Sequence, residues 1–128
     1  MTLELRYLEL EEALGALNEL GLTDALSKSA EYTRYLAAFD GNKIAGITKL
    51  FERPEMTNIH IDALEVAEAG RHQGVALAML EHVFVEAADK GKAVTNNGFS
   101  GMGQQHLIHV QNRLAEKYKV AQAVIGRC

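Results

Sequence analysis

The stretch from Leu64 to Leu80 constrains this chain more than any other. It reads Leu-Glu-Val-Ala-Glu-Ala-Gly-Arg-His-Gln-Gly-Val-Ala-Leu-Ala-Met-Leu: an apolar strand end, a turn carrying Gly70 and Gly74, and an apolar helix. A turn of small residues that runs straight into a helix leaves the first backbone N–H groups without intrahelical acceptors, and the helix dipole adds positive potential at the same spot. An anion such as a pyrophosphate can be held there without a charged side chain. A side chain at position 74 would obstruct the close approach of backbone to phosphate, which is the chemical use of glycine there.

The rest of the chain is placed around that stretch. Thr2 to Leu8 alternates apolar and polar residues as a half-buried strand does, and Leu10 to Leu20 then switches to helical spacing with Leu10, Leu14, Leu17 and Leu20 on one side. Gly21 ends that helix, and Thr23 is placed to cap a short second one through Leu26. Tyr32 to Phe39 and Lys43 to Phe51 flank Asp40-Gly41-Asn42, the turn chemistry of a hairpin. Beyond Pro54, Thr57 to Val66 reads as a third consecutive strand, with Ile59, Ile61 and Ala63 alternating against Asn58, His60 and Asp62. The alternation slips at Leu64-Glu65-Val66, where the strand either bulges or stops.

From Gly74 the spacing is helical, with Leu77, Leu80, Phe84 and Ala87 or Ala88 as a core stripe and Gly91 as the C-terminal cap. Ala93 to Asn96 is a short strand. A glycine-bearing loop through Gly103 leads to a helix whose Leu107, Val110, Leu114 and Tyr118 share a face, and Val120 to Ile125 is the last strand. The order is strand, two helices, three antiparallel strands, helix, strand, helix, strand. It predicts an α+β domain, layered α/β/α, with a mixed, mostly antiparallel twisted sheet and helices on both faces.

At 128 residues and 48% apolar content the chain is the size of one domain, spanning 1–128, with a single core. The formal charge of −4 argues against a nucleic-acid partner, which would require a basic face. Cys128 is the only cysteine and the last residue, so neither a disulfide framework nor a cysteine zinc site is expected. The N-terminus lacks a basic region followed by an apolar run, and no window approaches a membrane span, so a soluble, cytoplasmic protein with no membrane partner is the expectation.

With this order and the central stretch together, the chain resembles the GNAT superfamily of acyl-CoA-dependent N-acetyltransferases. Arg71-His72-Gln73-Gly74-Val75-Ala76 fits that superfamily's Arg/Gln-x-x-Gly-x-Gly/Ala signature, and the hairpin Phe39 to Gly46 is similar to its second and third strands. The resemblance implies acetyl-CoA as co-substrate. Arg71, His72, Gln73, Gly74, Val75 and Ala76 would cradle its pyrophosphate, and Leu64 and Val66 would offer main-chain groups to the pantetheine arm. The Val66 N–H would donate to the thioester oxygen.

Acetyl transfer to an amine needs a base for the ammonium proton, donors for the oxyanion and an acid for the departing thiolate. In several family members the base is a carboxylate six residues before the valine matching Val66, and His60 stands there instead. Histidine titrates near neutral pH and suits the role. Asp62, two residues on, would orient the imidazole or serve as base itself; both residues equally suit a solvated strand face. Glu65 is a weaker base candidate.

For the acid, the family pattern Asn-x-x-Ala-x-x-x-Tyr is nearly matched by Asn112, Ala115 and Tyr118, with the tyrosine one residue early. The other register leaves Ala115 at the tyrosine position, and Tyr118 also shares the apolar stripe of its helix. In the matching register Asn112 would face the cofactor. His106 and His109 lie one helical turn apart but lack a carboxylate or cysteine partner at matching spacing, so no metal is expected. The loop from Gly98 to Gly103, with Asn96 and Asn97, either lines the acceptor site or simply connects.

The family usually ends in a two-stranded hairpin, whereas here the end is shortened to one strand, an edge suited to pairing with a second copy as a homodimer. The leading expectation is an N-acetyltransferase whose acceptor, a small-molecule or protein amine, attacks acetyl-CoA directly. The alternatives are a catalytically inactive acyl-CoA-binding or protein-interaction module on the same fold, and a site for another nucleotide, the last weakened by the absence of G-x-x-x-x-G-K-[ST] and G-x-G-x-x-G.

Overall fold

Gly41, at φ 63°, takes the left-handed turn conformation that lets Asp40-Gly41-Asn42 reverse the chain, and two long strands close against each other across it. This hairpin is the centre of a computed structural model that describes residues 3–20, 31–67, 74–98 and 104–124. The elements are β1 (Leu3–Tyr7), α1 (Leu10–Glu19), β2 (Thr33–Asp40), β3 (Lys43–Phe51), β4 (Asn58–Val66), α2 (Val75–Lys90), β5 (Ala93–Asn96), α3 (Gln104–Tyr118) and β6 (Gln122–Val124). They form one six-stranded sheet in the order of the sequence. The first four strands are mutually antiparallel, and β4–β5 and β5–β6 are parallel. The order and mixed sheet match the sequence-based expectation. The anticipated short helix from Thr23 to Leu26 lies outside the described residues.

Each face of the sheet has its own core. Ala13, Ala16 and Leu17 of α1 pack on Tyr35, Ala37, Ile44 and Ile47. On the other face Val75, Met79, Leu80, Val83, Phe84 and Ala87 of α2, with Val110 and Leu114 of α3, cover Leu36, Ala38, Leu50, Ile59, Ile61 and Val94. A fully buried side chain such as Phe84 or Leu80 contributes about 1.5–3 kcal/mol by leaving water.

Two apolar stripes differ in detail from the periodicity. In α1 the alanines face the sheet and Leu10 and Leu14 are 49% and 42% exposed, because small residues allow the closer approach. In α2 the core side is centred on Val75, Met79 and Val83, which leaves Leu77 on a shoulder at 44% exposure. Among the described residues no helix is long and apolar enough to cross a membrane.

The C-terminal half of α2 is fastened by ion pairs. Arg34 on β2 donates to both carboxylate oxygens of Glu86 and, at 2.8 Å, to Glu52, while Tyr7 of β1 donates to Glu86. Lys90 reaches Glu86 at 2.9 Å and Glu52 at 3.1 Å, and Lys92 reaches Glu52 at 2.6 Å. Burial alone would raise the Glu86 carboxyl, but hydrogen bonds from Arg34, Tyr7 and Lys90 overcome it and hold the pKa at about 2. Burial, followed by the bond to Glu86, pushes the Tyr7 hydroxyl well above its ordinary range. Gly91, at φ 66°, closes the helix with the amides of Gly91 and Lys92 bonded back to Ala88 and Ala87.

Candidate functional site

Strand β4 is where the sheet opens. Its parallel pairing with β5 runs from Asn58–Ala93 to Ile61–Asn96, where β5 ends, while β4 continues against β3 as far as Val66. Among the described residues, no strand pairs with the β5-facing edge of β4 beside residues 62–66, the gap in the described sheet. The register of β4 against β3 also jumps there, since Lys49 faces Ala63 while Leu50 faces Ile61, so Asp62 is an extra, bulged residue. The bulge thus lies at Asp62 rather than at Leu64-Glu65-Val66, where the strand pairs regularly with Gly46, Ile47 and Thr48. One inserted residue changes the parity downstream, so Ile59 and Ile61 before it, and Leu64 and Val66 after it, all pack toward α2. That change of parity is the slip visible in the sequence.

The Ala67 N–H bonds Ala45 O at 2.8 Å, and by alternation the main-chain groups of Leu64 and Val66 point to the other edge of β4, which β5 has left. The first turn of α2 lies over the sheet at Gly46 of β3, the partner of Val66. Gly46 makes the closeness possible: a Cβ there would come within 2.9 Å of Val75 Cγ1 and Met79 Cε and 3.1 Å of Glu65 O. Gly74 precedes α2 at φ 75°, a conformation natural to glycine, with nothing within 4 Å of where its Cβ would be. Among the described residues no side chain caps this end of α2, and its first turn contains no acidic residue. Uncapped amides, a left-handed glycine and open space fit a phosphate group. Arg71, His72 and Gln73 lie outside the described residues.

On the α1 face of the gap, His60 is bonded at both ring nitrogens. Nδ1 is 2.8 Å from Thr95 Oγ1, and Nε2 is 2.8 Å from Asn97 Oδ1 and 3.6 Å from Asp62 Oδ1. Asn58 Nδ2 donates to Thr95 Oγ1 at 2.7 Å, and Asn97 Nδ2 donates to the Asp62 main-chain oxygen at 3.2 Å. The side chains of His60 and Asp62 are 9% and 7% exposed, so they are buried rather than laid on a solvated face. Thr95 and Asn58 were invisible as neighbours of His60 until the β4–β5 register set Thr95 opposite it. Asn97 carried a signal only as part of the loop after β5.

Tyr118 is elsewhere. It is on the opposite face, where it packs against the α2 side of the core, and its hydroxyl donates to Glu81 Oε2 at 2.9 Å. Asn112 accepts from Gln122 Nε2 of β6 at 2.6 Å and, with Asn96, Ile108, Gln111 and Val124, lines a pocket of about 210 Å³ between α3 and the end of the sheet. Glu65 is paired in register with Ile47, on the α1 side. His106 and His109 are exposed, and among the described residues no three metal-ligating side chains cluster. Of the loop from Gly98 to Gly103, the part beyond Gly98 lies outside the described residues.

This architecture is shared with known enzymes. The ribosomal-protein-S18-alanine N-acetyltransferase of Escherichia coli superposes with a TM-score of 0.72 at 16% identity, covering 88% of this chain and 76% of that one. An aminoglycoside acetyltransferase from an uncultured soil metagenomic sample gives 0.65 at 23% identity, covering 89% and 91%. A Bacillus subtilis acetyltransferase in complex with CoA gives 0.66 at 17% identity, covering 89% and 76%. The sequence matches no curated protein. The family model for the acetyltransferase (GNAT) family matches residues 3–98, which include the opened strand, the Gly74 turn and α2. By that match over most of its length, the chain belongs to the GNAT acetyltransferases.

Proposed function

We propose that this chain, acting as a single domain, transfers an acetyl group from acetyl-CoA to an amine by direct attack. The observation that carries this reading is the parting of β4 from β5 beyond Ile61 and Asn96, together with the uncapped start of α2. Arg71, His72, Gln73, Gly74, Val75 and Ala76 form the pyrophosphate cradle, with backbone amides as donors, and the main-chain groups of Leu64 and Val66 pair with the pantetheine arm. Acetyl-CoA supplies the activated acetyl group when bound. The Val66 N–H stabilises negative charge developing on the acetyl oxygen, a type of donor whose removal costs about a hundredfold or more in rate elsewhere.

Either His60 or Asp62, both buried beside the gap, takes the acceptor's proton. Tyr118 serves the packing of α3 against α2, because its hydroxyl proton is engaged by Glu81. Among the described residues β6 is a short edge strand, which suits pairing with a second copy. The acceptor is an amine, small-molecule or protein.

Thermal stabilisation by acetyl-CoA together with thiol release over a panel of amines tests the reading. Stabilisation and release support it. Stabilisation with no release from any amine supports the inactive binding module, and no stabilisation defeats both.

A further inference from the structure

Two hydrogen-bond anchors decide which atom of His60 bears its proton. The Asn58 amide nitrogen can only donate, so Thr95 Oγ1 accepts from it and has its own proton to give to His60 Nδ1. On the other side, a main-chain carbonyl can only accept, so the Asp62 oxygen fixes which end of the Asn97 amide it meets. Asn97 Oδ1 therefore faces His60 Nε2, and because an amide oxygen only accepts, Nε2 must carry the hydrogen.

The one lone pair of the neutral ring, on Nδ1, is thereby occupied by the Thr95 hydroxyl. In the protonated ring Nδ1–H donates to the same oxygen. Neither state presents a bare nitrogen to a substrate.

Asp62 is placed differently. It is the bulged residue, one position past the last β4–β5 pair, at the point where the gap opens. Its Oδ1 is 3.6 Å from Nε2 of His60. Three further titratable groups near it are on this face: Tyr35 of β2, Lys49 of β3, one pair along the register from the bulge, and Glu65 of β4, opposite Ile47. The Tyr35 hydroxyl is pushed up first by burial and then by the negative charge of Asp62.

We propose that His60 is a positioning residue fixed with its proton on Nε2, and that Asp62 is the group that takes the acceptor's proton. The second half rests on the acetyltransferase reading above. In the step, an ammonium N–H proton passes to the Asp62 carboxylate and the freed lone pair forms the N–C bond to the thioester carbonyl. As the tetrahedral adduct collapses, the C–S electron pair goes to sulfur, which takes the second proton from nitrogen. The products are the amide and the thiol, and Asp62 returns its proton to water.

The tautomer is read without turnover, by long-range proton–nitrogen correlation NMR of protein labelled with ¹⁵N-histidine. The expected result is an unprotonated Nδ1 and a protonated Nε2 for His60, retained in Thr95→Val, where the Asn97 acceptor remains. The reverse tautomer, or exchange between the two in the unsubstituted protein, would overturn it. Kinetics test the second half. Asp62→Asn is expected to lower kcat at least about a hundredfold and remove the acid limb of its pH profile. His60→Gln keeps a donor but cannot titrate, and is expected to stay within about tenfold of the parent, with the limb intact. A His60→Gln enzyme as slow as Asp62→Asn and without the limb makes His60 the base and ends the proposal. An unsubstituted protein that acetyl-CoA fails to stabilise marks failure of the underlying reading instead, with the NMR result unaffected.

Discussion

The two ends of α2 are built on opposite plans. At the C-terminal half Glu86 is held by Arg34, Tyr7 and Lys90, and Gly91 turns the last amides back onto the helix. At the N-terminal end the cap is a left-handed glycine, among the described residues no side chain answers the first amides, and the first turn is free of acidic residues. A helix end without caps forgoes about 1 kcal/mol of stability. In α2 that cost falls at the proposed phosphate cradle, while the far end of the same helix is heavily tied. The difference separates what holds the helix from what the helix is for. Substitutions at the two ends should therefore act on different observables.

The largest effect is expected at the open end. Gly74→Glu places a carboxylate and bulk at the uncapped amides, and it is predicted to abolish stabilisation by acetyl-CoA. At ligand a hundredfold above Kd that stabilisation amounts to about 2.7 kcal/mol. The check is a thermal shift with and without acetyl-CoA; a folded variant that keeps its full shift contradicts the phosphate site.

At the tied end, Arg34→Met should cost about 1–3 kcal/mol, because it strips donors from two largely buried carboxylates that Lys90 and Lys92 only partly satisfy. Urea unfolding measures the loss, and the shift given by acetyl-CoA should stay as in the parent. If that shift falls in step with stability, the two ends of the helix are coupled and the contrast fails.

Gly46→Ala should cost a comparable or smaller amount, about 1–3 kcal/mol by overpacking, because its new methyl group meets Val75 and Met79 at 2.9 Å. Unlike Arg34→Met, it pushes on the start of α2, so it should also weaken the acetyl-CoA response. That pairing of effects is the sharpest way to show that the β3–α2 approach sets the site.

Acid should act strongly on the tied end. The Glu86 carboxyl, normally near 4.5, is lowered to about 2 in the folded chain, so its contribution to stability is complete above about pH 4.5 and is lost as the pH falls toward 2. Arg34→Met should flatten this part of the stability profile. An unchanged acid profile in the variant would mean that Arg34 is not what holds Glu86 down.

These contrasts also show what a sequence carries. The strand order, the Asp40-Gly41-Asn42 hairpin, the Gly91 cap and the Gly74 helix start were legible, because turn chemistry and periodicity are local. The slip in β4 was legible as an irregularity, but its position at Asp62 follows from pairing with Lys49 and Leu50, more than ten residues away. The same holds for the surroundings of His60, which depend on a parallel register with β5, and for the Arg34–Glu86 tie, whose members are 52 residues apart. Large leucines at helical spacing drew attention from Ala13 and Ala16, whose small size is what lets α1 close on the sheet. Periodicity marks a face but does not weigh closeness of approach.

The smallest effect is expected at Tyr118, between the two plans. Its hydroxyl donates to Glu81, which Lys117 also reaches at 3.1 Å, and its ring packs against the core, so Tyr118→Phe retains the packing and loses one half-exposed hydrogen bond. About 0.5–1.5 kcal/mol of stability should go, toward the lower end because Lys117 still satisfies the carboxylate. The rate of thiol release should change by less than about threefold, whereas loss of a general acid costs about a hundredfold or more. A fall of that size at unchanged stability would return Tyr118 to the chemistry as the thiolate's proton donor. It would also require the Glu81 contact to break during turnover, which a Glu81→Gln enzyme faster than its parent would corroborate.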